Sequence, residues 1–332
     1  MDQQKVYKND ELVRDSVQAR SLLERKIKVG LVQVNNSFSR QNYLPYSVAF
    51  LESYARKHAA NANDFEFLLP IYKRIPVEKA VADLKDADAV FFSTYVWNYE
   101  ISKEIAKGLK KRKPETLVVF GGCHVPEKDT EGFLRQTPFI DLASTGEGEV
   151  AFKRILELYP ERAWEFAPSS HFIDKKGKYV KTAPVERIAD LNTIPSPYLS
   201  GFFEPLMRAN PEEQWIGLWE TNRGCPFTCA FCDWGVGSKK RMTDYNMERI
   251  LREIDWFSEN KIQFVYCADA NFGMFKERDL AIAERFAENK RKHGYPEGLS
   301  VQNTKNSTDS SYNIQRVLSD AGLNKGGTLA VQ

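Results

Sequence analysis

IKVGLVQV, residues 27–34, is the stretch from which the fold can be read. Only Lys28 and Gln33 interrupt a run of apolar residues and glycine, and Val29, Val32 and Val34 are β-branched. A short apolar run of this kind is the mark of a strand covered on both faces in a parallel sheet. Behind it comes a polar loop at 35–42 and then a helical segment at 46–57. Further strand candidates follow at 65–69, 89–94 (AVFFST), 117–120 (LVVF) and 142–144, separated by helical segments at 77–84, 100–111 and 150–159. Strands alternating with helices imply an α/β domain, doubly wound in the Rossmann or flavodoxin manner, over 27–160. Ligands of such sheets sit beyond the carboxyl ends of the strands.

Residues 1–26 read as a charged extension with loosely helical spacing of Leu12, Val13, Val17, Leu22 and Leu23. Residues 161–213 change texture: Pro168, Pro184, Pro195, Pro197, Pro205 and Pro211 mark a loop-rich connector with a hairpin around 174–178. WIGLWET at 215–221 opens a second strand–helix series. Helices at 246–260, 278–293 and 310–321 alternate with strands at 263–268, 299–304 and 327–331. Residues 214–332 are therefore expected to form the first four strands of a parallel (β/α) barrel. A barrel of about six to eight such units would need more chain. The expectation is a C-terminal truncation, with the remainder of the barrel supplied elsewhere, for instance by a separately encoded segment.

With 332 residues, 42% hydrophobic and 28% charged, the chain has room for two globular domains. Lys and Arg number 47 against 45 Asp and Glu, a net charge of +2, which gives no electrostatic case for nucleic acid. The basic runs at 110–113 and 239–241 read as solvated faces or phosphate contacts. No stretch approaches the roughly 20 apolar residues of a membrane helix, and the N-terminus has no secretory h-region. A cytoplasmic location is expected. Five cysteines, three of them within eight residues, make a poor disulfide framework and point to metal or redox chemistry in a reducing compartment.

Those three lie in Arg223-Gly224-Cys225-Pro226-Phe227-Thr228-Cys229-Ala230-Phe231-Cys232, spaced C-x3-C-x2-C directly after a strand. Three thiolates on one loop can ligate three irons of a cubane and leave the fourth open. A structural zinc site would need a fourth ligand and is usually built from C-x2-C pairs; Cys267 lies on the next strand and no histidine is near. The spacing, with an aromatic before the third cysteine, resembles the signature of the radical S-adenosylmethionine (radical SAM) superfamily. The resemblance implies a [4Fe–4S] cluster on Cys225, Cys229 and Cys232 whose open iron chelates S-adenosylmethionine, with Phe231 backing the adenine or cluster. Asp269-Ala270-Asn271-Phe272-Gly273 resembles the family segment that meets the methionine end of the cofactor; an Asx turn and helix cap would use the same residues. Gln302, Asn303 and Lys305 would point into the same cavity.

In the first domain, Ser93-Thr94-Tyr95-Val96-Trp97, Gly121-Gly122-Cys123-His124-Val125-Pro126 and Gly146-Glu147-Gly148-Glu149 fall at successive strand ends. With Leu44-Pro45-Tyr46 they resemble the cobalamin-binding domain that precedes many radical SAM domains. The resemblance implies corrinoid contacts from Ser93, Thr94, Gly121, Gly122, His124, Gly146 and Glu147. Glycine there admits a large planar ligand to the backbone. One departure stands out. Cobalamin switch domains carry a histidine in the loop after the first strand, and here that loop is Asn35-Asn36-Ser37-Phe38-Ser39-Arg40. His124 reads either as a loop hydrogen-bonder or as a corrin contact, and the module either as a corrinoid site or as scaffold.

The implied activity is that of a cobalamin-dependent radical SAM enzyme acting on a small-molecule substrate. It would take electrons from a donor such as flavodoxin or ferredoxin, with methyl transfer to an unactivated carbon as one outcome. The reading from another class is a non-catalytic corrinoid and iron–sulfur binding protein, or an inactive fragment of such an enzyme.

Overall fold

A computed structural model describes residues 25–230, 232, 241–304 and 309–324. The extension at 1–24, Phe231, Lys239, Lys305 and the expected strand at 327–331 lie outside the described residues. Two compact units emerge. One holds the described residues through Asn36 together with Ser47–Glu186, and the other holds Ser37–Tyr46 with the described residues from Arg187 onward.

In chain order the first elements are β1 (Ile27–Asn35), β2 (Gln41–Tyr43), α1 (Tyr46–His58), β3 (Phe65–Phe67), β4 (Ile71–Lys73), α2 (Val77–Asp83) and β5 (Ala89–Ser93). Next come α3 (Tyr99–Arg112), β6 (Leu117–Gly121), α4 (Thr130–Gln136), β7 (Leu142–Ser144), α5 (Gly148–Glu157), β8 (Ser170–Ile173) and β9 (Tyr179–Lys181). The main sheet of the first unit runs β3-β1-β5-β6-β7-β8-β9, with β4 also paired to β1. It is parallel through β7 and antiparallel across β8 and β9.

β1 is buried at every position but Lys28, as its apolar run demands. Gln33, the polar interruption, is buried because its Oε1 accepts the Val48 N–H at 3.2 Å and so holds the start of α1. Successive side chains of β5 serve opposite faces. Phe92 packs on Phe120 at 4.7 Å, in a core shared with Ala80 of α2, Ile105 and Leu109 of α3, and Leu134 of α4. Phe91 meets Phe152 of α5 edge-on at 4.5 Å. Helices on both faces make the domain doubly wound. Burying each such aromatic contributes about 1.5–3 kcal/mol.

β3 and β5 flank β1 on opposite sides. The winding therefore reverses between β1 and β5, and the crevice for a ligand opens beyond their carboxyl ends. Asn98 staples that opening: its Nδ2 donates to the carbonyls of Val34 and Ser93, both at 3.0 Å, and its Oδ1 accepts the Tyr95 N–H at 2.8 Å.

Two features depart from the sequence expectation. β4 adds a strand beside β1 that the 65–69 reading did not separate. And 170–181, read as part of a connector, extends the main sheet as β8 and β9. The expected hairpin turn is present, with Asp174 Oδ1 accepting the Lys176 and Lys178 N–H groups at 2.8 Å.

The second unit continues with α6 (Phe203–Ala209), β10 (Gln214–Trp219), β11 (Asn222–Arg223), β12 (Thr243–Asp244) and α7 (Met247–Glu259). β13 (Phe264–Cys267), α8 (Lys276–His293), β14 (Gly298–Ser300) and α9 (Asp309–Asp320) follow. Its sheet is wholly parallel, in the order β14-β13-β10-β2. The strand at its β10 edge is the surprise. β2 was expected to lie in a polar loop, yet it sets Gln41, Asn42 and Tyr43 opposite Gln214, Trp215 and Ile216. Asn42 there donates its amide to Glu213.

Behind β10, Trp219 meets Phe257 of α7 at 6.0 Å and Phe286 of α8 at 5.5 Å, both edge-on. Its indole N–H donates to Glu253 Oε2 at 2.6 Å, and Arg249 pairs with the other oxygen of that carboxylate at 2.9 Å. The buried indole thus keeps its polar edge satisfied.

Candidate functional site

The cysteine loop leaves the sheet at the end of β10, where three groups hold its root. Thr221 N–H donates to Asp269 Oδ1 at 2.7 Å, and the Thr221 hydroxyl donates to the other oxygen of that carboxylate. Asn222 adds its own N–H at 3.3 Å and its Nδ2 at 2.9 Å. Arg278 of α8 takes the Thr221 carbonyl with Nη2 at 2.8 Å and the neighbouring Asp279 with Nη1 at 2.9 Å. Asp269 is 1% exposed. Burial pushes its carboxyl up to about 6, against the pull of the Thr221 and Asn222 hydrogen bonds and of Arg278.

Past this root, β11 and β12 close the base of the loop by pairing Asn222 with Asp244 and Arg223 with Thr243. Glu220 anchors it further, accepting from Arg223 Nε at 2.8 Å and Tyr245 OH at 3.0 Å. Gly224, at φ +110°, takes a backbone conformation that side chains disfavour and turns the chain into Cys225. Cys225 is buried, and its Sγ accepts Asn271 Nδ2 at 3.1 Å. Cys229 and Cys232 are half-buried and share a turn in which Cys232 N–H donates to Cys229 O at 3.0 Å.

None of the five cysteines forms a disulfide. Cys123 is exposed, and Cys267 is buried in β13, where burial pushes its thiol well up and makes it a poor ligand. Among the described residues, no three Cys, His, Asp or Glu side chains already converge on one point. Metal sites commonly assemble with their metal. Three thiols on one loop, the first receiving an amide N–H, are the donor set that an iron–sulfur cluster takes.

The structure puts Asn271 beside the cysteine loop and turns Asp269 toward the loop root. Between them the two strand ends are zipped: Phe272 N–H donates to Gln302 O at 2.7 Å, and Thr304 N–H to Phe272 O at 2.9 Å. Gln302 reaches Tyr266 OH at 3.4 Å, and Asn303 accepts from Gln315 at 2.8 Å. Sequence reasoning missed Thr221, Asn222 and Arg278. Their chemistry is internal hydrogen bonding, for which no motif exists.

In the first unit the glycine-rich strand ends form a cradle. Thr94 is fully buried; its N–H and hydroxyl both donate to Gly121 O at 2.8 Å, and its carbonyl accepts His124 N–H at 3.1 Å. Gly122, at φ +95°, passes so close that a Cβ would stand 2.6 Å from Thr94 O. Gly146, at φ +80°, opens on free space, and the half-exposed Glu147 leads into α5. Ser93, buried, ends β5. Val96 is 76% exposed, and Trp97 stacks on Tyr95 at 4.7 Å. His124 lies against the Tyr99 ring, 4.2 Å between centroids. A small-residue cradle beside an exposed apolar platform at the winding reversal fits a large planar ligand, and Asn35 Nδ2 is buried there without a partner among the described residues.

Fold and site together define a two-unit α/β protein with a corrinoid-type doubly wound domain and a cysteine-loop βα series. The family model described as B12 binding domain matches residues 30–156. Over 293 residues, 87% of this chain, the sequence is 34% identical to the cobalamin-dependent radical SAM methyltransferase TokK of Streptomyces tokunonensis, covering 43% of it. It is likewise 34% identical over 294 residues to the 2-(S-pantetheinyl)-carbapenam-3-carboxylate methyltransferase of Streptantibioticus cattleyicolor, with the same two coverages. The solved structure of the cobalamin-dependent S-adenosylmethionine radical enzyme OxsB, with aqua-cobalamin and S-adenosylmethionine bound, superimposes with a TM-score of 0.64. It does so at 17% identity over 90% of this chain and 43% of that one, a likeness of fold. The chain belongs to the cobalamin-binding radical SAM family, whose cofactors are cobalamin, S-adenosylmethionine and a [4Fe–4S] cluster. It spans less than half the length of the curated relatives it matches. Among the described residues no helix is long and apolar enough to cross a membrane.

Proposed function

We propose that this chain is the corrinoid- and cluster-binding part of a radical SAM methyltransferase that acts on a small molecule. What carries the reading is the joint presence, in one chain, of the B12 binding domain over 30–156 and of three cysteines on the loop after β10. When bound, the cluster and S-adenosylmethionine supply a carbon-centred radical and the corrinoid supplies a methyl group. The protein's part is to bind, orient and shield. Cys225, Cys229 and Cys232 would hold the cluster, and the family resemblance gives Phe231 the part of backing the adenine or the cluster. Asn271 and Asp269 shape the wall at the amino-acid end of S-adenosylmethionine, Asp269 by fixing Thr221 and Asn222. Gly122 and Gly146 let the corrin approach the backbone of the first domain, with Ser93, Thr94, Gly121, His124 and Glu147 around it. The loop after β1, residues 35–42, carries no histidine that could serve a bound corrinoid. The proposed division is an extension over 1–26, a corrinoid domain from 27, and a βα series from 214. A flavodoxin or ferredoxin would be the electron donor, and further barrel strands would come from a segment beyond those described.

The test is anaerobic reconstitution of the full chain with iron, sulfide and hydroxocobalamin, followed by incubation with S-adenosylmethionine and a reductant. We expect about four irons per chain, as one cubane requires, one corrinoid, and 5′-deoxyadenosine or S-adenosylhomocysteine among the products once the remaining barrel segment is added. A chain that binds neither iron nor corrinoid would overturn the reading. Binding of both with no turnover under any complementation would favour a non-catalytic carrier.

A further inference from the structure

We propose that Asn271 sets the reduction potential of the cluster through an N–H···S hydrogen bond to Cys225. The inference rests on the reading of Cys225, Cys229 and Cys232 as cluster ligands. Asn271 Nδ2 stands 3.1 Å from Cys225 Sγ, and no other hydrogen bond engages this amide among the described residues. The pair is deeply buried, Asn271 at 1% and Cys225 at 8% exposure. Among the described residues its Oδ1 is buried without a partner, and the N–H₂ bond to Cys225 is the hydrogen bond that holds this carboxamide there. The backbone on either side is locked. Asp269 is tied to Thr221 and Asn222, and Phe272 exchanges hydrogen bonds with Gln302 and Thr304. Rotating the amide away would bury an unsatisfied donor.

One electron added to the cluster raises the negative charge on its sulfur ligands. An N–H aimed at one of those sulfurs stabilises the reduced form more than the oxidised form and so raises the potential. In a buried site the effect is only weakly screened. Asn271 thereby makes the cluster easier to reduce, and does so at one named ligand.

The experiment is a titration of the anaerobically reconstituted full chain with Ti(III) citrate, followed by the electron paramagnetic resonance signal of the reduced cluster. Wild type is compared with Asn271→Asp, which keeps the shape and removes the donor, and with Asn271→Ala. We expect the reduction equilibrium of Asn271→Ala to fall about tenfold, roughly 59 mV for one electron. Asn271→Asp should fall further, because it adds negative charge. Iron and sulfide content, measured on the same samples, separates the two levels of the argument. A wild-type chain without a cluster overturns the cysteine reading and this inference with it. Clusters present at full content with unmoved midpoints overturn the inference alone. So does reduced cluster content in both variants with the wild-type midpoint, since Asn271 would then be holding the ligand rather than tuning it.

Discussion

The N–H of Thr221 donates to Oδ1 of Asp269 at 2.7 Å, tying the end of β10 to the loop that follows β13. The same carboxylate takes the Thr221 hydroxyl and the main-chain and side-chain N–H groups of Asn222. Asp269→Ala would strand these donors in a buried site. We expect it to cost about 2–4 kcal/mol and to lower iron incorporation, while Asp269→Asn, which keeps one acceptor oxygen, costs less. Urea melts and iron content read both effects. Unchanged stability in Asp269→Ala would leave the loop root held by Arg278 and β12 alone.

The ligands themselves are tested by pairing two cysteines of different surroundings. Cys229→Ala should abolish cluster formation, because two thiolates on the loop cannot hold the cubane. Cys123→Ala, at an exposed position in the other unit, should leave about four irons in place, the content of one cubane. Equal loss from both would mean that the ligands lie elsewhere.

Where the sequence carried the fold, it did so through long or spacing-rich signals. The run at 27–34 reads as a doubly covered strand and is one, buried at every position but Lys28, and three cysteines in eight residues point to metal or redox chemistry. What escaped was short. Three residues of β2 (QNY) and three of β4 (IYK) have no period to recognise, and β10 and β1 supply their pairing energy from a distance. β8 and β9 were masked by the prolines around them. At the site, Asp269 was legible as a strand-end acid, but its hydrogen bonds to Thr221 and Asn222 were not, because the contact spans 47 and 48 residues. Asn98 precedes an amphipathic helix and looks like an ordinary cap, yet its side chain joins β1 to β5.

Gly122 offers a test of the corrinoid cradle that does not depend on the cysteines. At φ +95° an alanine would be strained by about 1–3 kcal/mol, and its Cβ would press on Thr94 O and N at 2.6 and 2.8 Å. Those are backbone atoms and cannot swing aside. We expect Gly122→Ala to loosen the β5 and β6 ends and weaken hydroxocobalamin binding at least tenfold, read by absorbance titration of the full chain. Gly146→Ala meets nothing within 4 Å and carries only the backbone strain of φ +80°. With no protein atom in the way, its Cβ would stand where the corrin is proposed to meet the backbone, so Gly146→Ala should weaken hydroxocobalamin binding while leaving the β5 and β6 ends in place. Equal affinity of Gly122→Ala and wild type would place the corrinoid away from this strand end.

Glu52 of α1 predicts a pH dependence confined to the first unit. Its side chain is 9% exposed and pairs with Arg56 Nε at 2.7 Å. Burial pushes the carboxyl up to about 7, and Arg56 pulls the other way without cancelling it. Between its unfolded value of about 4.5 and about 7, the native state binds more protons than the unfolded chain. The stability contributed by this group is therefore complete below the lower value and is lost as pH rises through about 7. Glu52→Gln mimics the protonated form. The variant should come closest to wild type below pH 5 and exceed it near pH 8 by about 3 kcal/mol, which is what a rise from 4.5 to about 7 amounts to at about 1.4 kcal/mol per unit. Hydrogen exchange of the α1 amides, compared between the two proteins across this range, measures the difference locally and separates it from the titration of Asp269 in the other unit. Parallel curves for wild type and variant would show that Glu52 is ionised without cost, through solvent reaching the carboxylate beside Arg56.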